Sequence, residues 1–258
     1  MSAAGWRALA LRGADADAAL AYLQVHADVQ GVLEEQGGHV VWLVGCAPPL
    51  PPHLAVDVIE QVVAEEDFTV TGLEGDEAIL VAGDLLVRPP WVQRPAAFDG
   101  VELVVPRGGA FGSGEDASTQ AALLALHRSW RSVESLADVG CGSGILALYA
   151  QVRGVARIEA CDIDAPSVRA AKALLPGARV ELGTADLLAP CDVVVANMTG
   201  AELLSAMPAI LGVWRGVGPL VLSGMRASEV DQVAARVALP KLDRVAVGPF
   251  TSVAFDGR

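Results

Sequence analysis

The 258-residue chain carries 31 acidic against 18 basic side chains, a formal charge of −13, and 53% of its residues are hydrophobic. That length allows one large domain or two smaller ones, each with its own core. The acidic balance argues against direct binding to nucleic acid, which needs a basic footprint, and against a bilayer surface; it suits a basic partner or simple solubility.

In chain order, Trp6 to Arg12 reads as a strand ended by Gly13, and Ala14 to His26 has helical spacing. Val29 to Glu35 and His39 to Gly45 read as two strands joined at the hairpin signal Gly37-Gly38. After the Pro48–Pro52 loop, Val56, Ile59, Val62 and Val63 predict a helix over His53 to Glu66, and Phe68 to Leu73 a last strand. The resulting order β-α-β-β-α-β predicts a small ferredoxin-like α+β domain over residues 1–74. Residues 75–107 read as a connecting segment stiffened by Pro89-Pro90-Trp91.

From residue 108 onward strands and helices alternate, the rhythm of a doubly wound α/β sheet. Ser118 to Trp130 reads as helix, Leu136 to Val139 as the first sheet strand, and Arg157 to Cys161 as the second, closing at Asp162. Pro166 opens a helix at its favoured first position, with Asp164 ahead of it as a capping candidate. Ala178 to Leu182 and the valine-rich Asp192 to Ala196 follow as strands, the latter with the composition of a strand buried on both faces. Between them, Thr184 to Pro190 spans about 23 Å when extended, enough to cross the roughly 14 Å of three strand spacings. Ala201 to Trp214 and Ser228 to Val237 read as helices around a strand at Pro219 to Ser223, and Lys241 to Phe255 as two closing strands.

The chemistry gathers at Asp138-Val139-Gly140-Cys141-Gly142-Ser143-Gly144, a strand end, a glycine-rich turn and a helix start. Such a turn lets backbone approach a ligand closely and points helix N–H groups at it. A dinucleotide fingerprint, Gly-x-Gly-x-x-Gly, needs its third glycine where Ile145 stands, so a nicotinamide cofactor is the least supported choice. Asp162, 18 residues after Gly144, can accept hydrogen bonds from ribose hydroxyls, or can serve as a turn cap ahead of Pro166. Asn197 closes the fourth strand, where a ligand crevice opens in such sheets.

The four cysteines, Cys46, Cys141, Cys161 and Cys191, show neither zinc spacing nor a disulfide framework, so reduced thiols and no metal are expected. The histidines His26, His39, His53 and His127 are scattered and read as structural or surface residues. Charges enter too early in Met1 to Leu20 for a secretory signal, and there is no run of about 18 apolar residues, so a cytoplasmic location is expected.

Ala110-Phe111-Gly112-Ser113-Gly114-Glu115-Asp116-Ala117-Ser118-Thr119, Asp138 to Leu146, Cys161-Asp162-Ile163-Asp164 and Val195-Ala196-Asn197 together resemble the PrmA family, S-adenosylmethionine-dependent methyltransferases of ribosomal protein L11. The resemblance runs from about residue 84 to the end, and its most specific part is the Phe-Gly-Ser-Gly segment one helix before the glycine turn. It implies a Rossmann-like class I methyltransferase domain over 108–258, S-adenosyl-L-methionine as cofactor and a front domain that recognises a basic, ribosomal protein substrate. A monomer without direct nucleic-acid contact is expected. Thr119, Gly140, Gly142, Asp162, Thr184 and Asn197 fall on its cofactor contacts, with Asp162 at the ribose and Thr184 at the adenine edge. Phe111 and Asn197 border the methyl-transfer site, and Asp116 either meets the substrate ammonium or caps the next helix. Ser113, Asp116 and Ser118 replace the family's usual threonine, histidine and threonine, where substrate and cofactor meet. The resemblance implies N-methylation of lysine side chains or an N-terminus; a small-molecule methyltransferase and a binding protein without catalysis stay open as alternatives.

Overall fold

The computed structural model describes residues 6–35, 37–44, 47–63 and 76–257. The chain divides into two compact units, the first ending at Asp76 and the second beginning at Glu77.

In the first unit, β1 (Trp6–Arg12), β2 (Asp28–Glu35), β3 (Gly38–Val44) and β4 (Asp57–Val63) form one sheet in the order β2-β3-β1-β4. Both β1 and β2 run antiparallel to β3, so β1, the helix α1 (Ala16–His26) and β2 make a βαβ unit with β3 inserted between its strands. The helix buries Ala16, Ala19 and Leu23 against Leu9, Leu11, Val41 and Leu43. The helix expected over His53 to Glu66 is not formed in its described part: Asp57–Val63 is β4, paired with β1 along its whole length from Trp6↔Val63 to Arg12↔Asp57. Its sequence, Asp-Val-Ile-Glu-Gln-Val-Val, is rich in β-branched residues, which lose rotamer freedom in a helix and fit a pleated surface. The free edge of β1 decides between the two periods, because it offers the segment a ladder of backbone partners. The strand expected at Phe68 to Leu73 lies outside the described residues.

The second unit starts earlier than the connecting segment suggests. Strands β5 (Ile79–Ala82), β6 (Leu85–Arg88) and β7 (Val101–Val104) form a small sheet, and Leu85, Val87 and Leu103 enter the main core. The large sheet contains β8 (Ser135–Val139), β9 (Arg157–Asp162), β10 (Arg179–Leu182), β11 (Val193–Asn197), β12 (Leu220–Arg226), β13 (Lys241–Val247) and β14 (Phe250–Phe255). Its order is β10-β9-β8-β11-β12-β14-β13, parallel from β10 to β12, with β14 antiparallel to both its neighbours. The order reverses direction between β8 and β11, and a crevice opens at their carboxyl ends.

Helices cover both faces. On one side α2 (Ala117–Arg128), α3 (Ile145–Val152) and α4 (Ala165–Leu174) pack on Leu136, Ile158, Val193 and Val195. On the other, α5 (Gly200–Val213) and α6 (Val230–Val237) pack on Ala137, Val194, Ala196 and Leu222. Along β11, Val193 and Val195 face one layer and Val194 and Ala196 the other, which is the two-residue alternation of a strand with two buried faces.

Candidate active site

A cavity of about 740 Å³ opens at the carboxyl ends of β8, β9, β10 and β11. Its floor is the glycine turn. Gly140 and Cys141 donate their N–H groups to the carbonyl of Cys161 at 2.9 and 3.0 Å, pinning the turn to the end of β9. At Gly142 the backbone is left-handed (φ +54°), and a Cβ there would lie 2.4 Å from the carbonyl oxygen of Phe111. Glycine is needed because the Phe111–Gly112 segment lies directly on the turn. Ser143 ties the two together, its N–H donating to Phe111 O at 2.8 Å and its hydroxyl to Gly112 O at 2.7 Å. The Phe111 side chain stays 55% exposed and borders the cavity.

Asp162 holds the opposite wall. One carboxylate oxygen accepts from Gly142 N–H at 2.8 Å and the other from Asp164 N–H at 2.9 Å. Asp164 caps α4, accepting from the N–H and hydroxyl of Ser167, so the two neighbouring acids have separate work. A carboxylate has about four lone-pair sites, so Asp162 keeps acceptor capacity toward the cavity it lines.

Asn197 sits at the end of β11 and lines the cavity. Its amide donates to the Thr119 hydroxyl at 3.4 Å, and its buried Oδ1 has no partner. Gly140, Gly142, Asp162, Thr184, Asn197 and Phe111 are therefore brought to one cavity. Thr119 and Asp116 are not among its lining residues. Thr119 is 1% exposed and reaches the site through Asn197. Asp116 occupies the N-cap position of α2, but its side chain makes no capping hydrogen bond. Glu115, beside it, is ion-paired with Arg107 at 2.9 Å and accepts from the Ser113 hydroxyl at 2.9 Å.

Four residues without a role in the sequence reading also belong to this region. Ile163 lines the cavity although 79% exposed, an apolar surface directly after Asp162. Asp186 lines it as well and accepts from the Thr184 hydroxyl at 3.1 Å. Phe250 lines it from β14. Asp138, which opens the glycine motif, is fully buried beneath the turn and accepts from Ala147 N–H at 3.1 Å. Burial pushes its carboxyl up to about 7, a rise that the Ala147 N–H opposes and the nearby Asp162 charge reinforces. Its position at the head of the glycine motif was the one sequence signal for it; nothing local marks Phe250.

The thiols at the site are inert. Cys141 and Cys161 are free and buried, as is Cys191 ahead of β11, away from the cavity. Burial pushes the Cys161 thiol up to about 12 and raises Cys141 as well, so neither is a thiolate at neutral pH. His127 lies outside the cavity lining, between Asp84 (2.9 Å) and the Tyr149 hydroxyl (3.0 Å), and His39 pairs with Asp17 at 2.6 Å. Among the described residues no group of acids, histidines and cysteines could hold a metal ion, and no helix is long and apolar enough to cross a membrane.

Comparison with known proteins places this arrangement. The sequence model of the ribosomal protein L11 methyltransferase (PrmA) family matches residues 12–246. The chain belongs to that family. It is 34% identical over 221 residues to the ribosomal protein L11 methyltransferase of Thiobacillus denitrificans, covering 84% of this chain and 71% of that one. It is 32% identical over 179 residues to that of Methylobacillus flagellatus, covering 68% of this chain and 60% of that one. Its alignments thus span about three fifths to seven tenths of these relatives' length. The crystal structure of the ribosomal protein L11 methylase of Lactobacillus delbrueckii subsp. bulgaricus superposes with a TM-score of 0.63 at 26% identity, covering 70% of this chain and 99% of that one. The class I methyltransferase fold and the use of S-adenosylmethionine follow from family membership.

Proposed function

We propose that this chain N-methylates ribosomal protein L11, or a similar basic protein, in the cytoplasm. The observation that carries the reading is the unpartnered, buried Oδ1 of Asn197 in a cavity whose lining includes Asp162, Asp186 and Glu202 and, among the described residues, no basic side chain. A buried carbonyl oxygen without a donor costs about 1–3 kcal/mol, so the site is built for an N–H or O–H donor that arrives. A sulfonium cofactor and an amine substrate are both compatible with carboxylate walls, whereas an anionic substrate is not.

The lining residues fit the cofactor part by part. Asp162 takes the ribose hydroxyls with its remaining lone pairs. Ile163 gives the adenine an apolar face, and Thr184 with Asp186 offers acceptors to its amino edge. Gly140 and Gly142, both in the lining, bring turn backbone against the methionine portion. Bound S-adenosylmethionine supplies an electrophilic methyl group on a sulfonium sulfur.

The protein's own contribution is positioning and dryness. The Asn197 Oδ1 accepts one N–H of the incoming amine and turns its lone pair toward the cofactor side of the cavity. The Thr119 hydroxyl, behind the amide, holds it in that orientation. A lysine amine, ordinarily near pKa 10.4, must lose a proton first, and the apolar walls at Phe111 and Met198 favour the neutral form. Asp116 is outside the lining, so no role in taking this proton is proposed for it.

Intact-mass analysis of recombinant ribosomal protein L11 incubated with the protein and S-adenosylmethionine tests the reading. Mass increments of whole methyl groups on L11 are expected. Cofactor binding with no mass change on any ribosomal protein would overturn it in favour of a small-molecule substrate or a cofactor-binding protein without catalysis.

A further inference from the structure

The function so far uses one aromatic ring, Phe111, at the mouth of the cavity; the structure holds a second. Phe250 is the first residue of β14, far from the glycine motif in sequence, and it lines the same cavity. The sheet order explains how it arrives. Neighbouring strands run β8, β11, β12, β14, with Phe111 tied to the turn after β8, Asn197 at the end of β11 and Phe250 at the start of β14. The two rings therefore stand on opposite sides of the strand that carries Asn197.

The height of Phe250 is set by an irregular pairing. Asn197 is level with Ser223 of β12, and the β12–β14 register shifts between Leu222 and Met225 before Arg226 pairs with Phe250. Bulges of this kind re-aim side chains at the rims of sheets. Phe250 thus sits three residues beyond the level of Asn197, at the rim rather than on the floor. Arg226 is exposed and places its guanidinium 4.8 Å from the Phe250 ring centroid. Arg226 is not among the lining residues. Its backbone N–H donates to Glu229 at 2.6 Å, which fixes this turn of chain.

We propose that Phe250 is a substrate-positioning residue: with Phe111 it forms a two-ring mouth for the cationic side chain of a basic protein, and Arg226 steadies its ring. The inference rests on the amine-methylating function proposed above. An aromatic ring attracts an ammonium group electrostatically and packs the methylene stem behind it. Neither ring carries a hydrogen-bonding group, so the amine meets its polar partner only on reaching Asn197. The substrate class this selects is a long, flexible side chain ending in a cation, presented on a protein surface, rather than a compact polar metabolite.

Steady-state kinetics of the full chain with whole ribosomal protein L11, at saturating S-adenosylmethionine, test this. Phe250→Leu should raise KM for L11 by about fivefold or more, the scale of one cation–ring contact. Its kcat, its calorimetric cofactor affinity and its melting temperature should stay close to wild type. Phe250→Tyr, which keeps the ring, should restore the wild-type KM. A Phe250→Leu protein with unchanged KM overturns the inference. So does a parallel loss of cofactor affinity and KM in both variants, which would make Phe250 merely structural. A wild-type protein that methylates no amine of L11 overturns the underlying function instead, and this inference with it.

Discussion

Alanine at Gly142 should damage the site far more than alanine at another left-handed glycine, because of one close approach. Gly142 and Gly177 both have positive φ, +54° and +88°. Either substitution therefore carries the left-handed penalty of roughly 1–2 kcal/mol. A Cβ on Gly177 would meet nothing within 4 Å, whereas one on Gly142 would lie 2.4 Å from Phe111 O. The Phe111 backbone would have to retreat by about 1 Å to reach ordinary van der Waals separation. That motion breaks the 2.8 Å hydrogen bond from Ser143 N–H to Phe111 O and strains the 2.7 Å bond from the Ser143 hydroxyl to Gly112 O. At about 1 kcal/mol each, the total loss for Gly142→Ala is roughly 3–4 kcal/mol. Gly142 also donates its N–H to Asp162, so the proposed ribose acceptor shifts with it. Urea denaturation and calorimetric titration with S-adenosylmethionine, run on both variants, measure the difference. Gly177→Ala should lose only the backbone penalty and keep its cofactor affinity, while Gly142→Ala should bind cofactor at least about tenfold more weakly. Equal losses of stability with equal affinities would refute the claim that the Phe111 segment is docked through this turn.

Two further predictions concern the acids. Asp138 has its folded pKa raised to about 7, so its native form holds a proton that the unfolded chain has released above about pH 4. Its contribution to stability is present at low pH and is lost as pH rises through 7, by up to about 4 kcal/mol over some three pH units. Asp138→Asn should flatten this decline in denaturation curves taken across pH 4–8, and an unaltered slope would assign it elsewhere. Asp162→Ala should weaken S-adenosylmethionine binding by about tenfold or more, whereas Asp164→Ala should cost only the helix cap, about 1 kcal/mol, at unchanged affinity. Identical affinities for the two variants would reduce Asp162 to a turn-stabilising role.

Local chemistry made much of this site legible in the sequence. Gly142 marks a turn no other residue could make against Phe111, and Asp164 ahead of Pro166 marks a helix start. The valines of β11 mark a strand buried on both faces. Each is settled within a few residues of chain, by a positive φ, a cap or a period. The rest depended on what a segment meets. Asp57–Val63 has a residue pattern that serves either a helix or a strand, and the open edge of β1 decides for the strand. Thr119, which the family resemblance assigns to the cofactor, is buried by the packing of α2 and reaches the cavity through Asn197. The sheet order alone carries Phe250 to the cavity rim, 53 positions after Asn197. The sequence by itself determined the glycine cradle, because a positive-φ turn rests on short-range backbone chemistry, and its motifs carried the resemblance that implied the family and, through it, the cofactor. Tertiary structure decided which side chains line the cavity, because that depends on pairings between strands that the chain brings together only on folding.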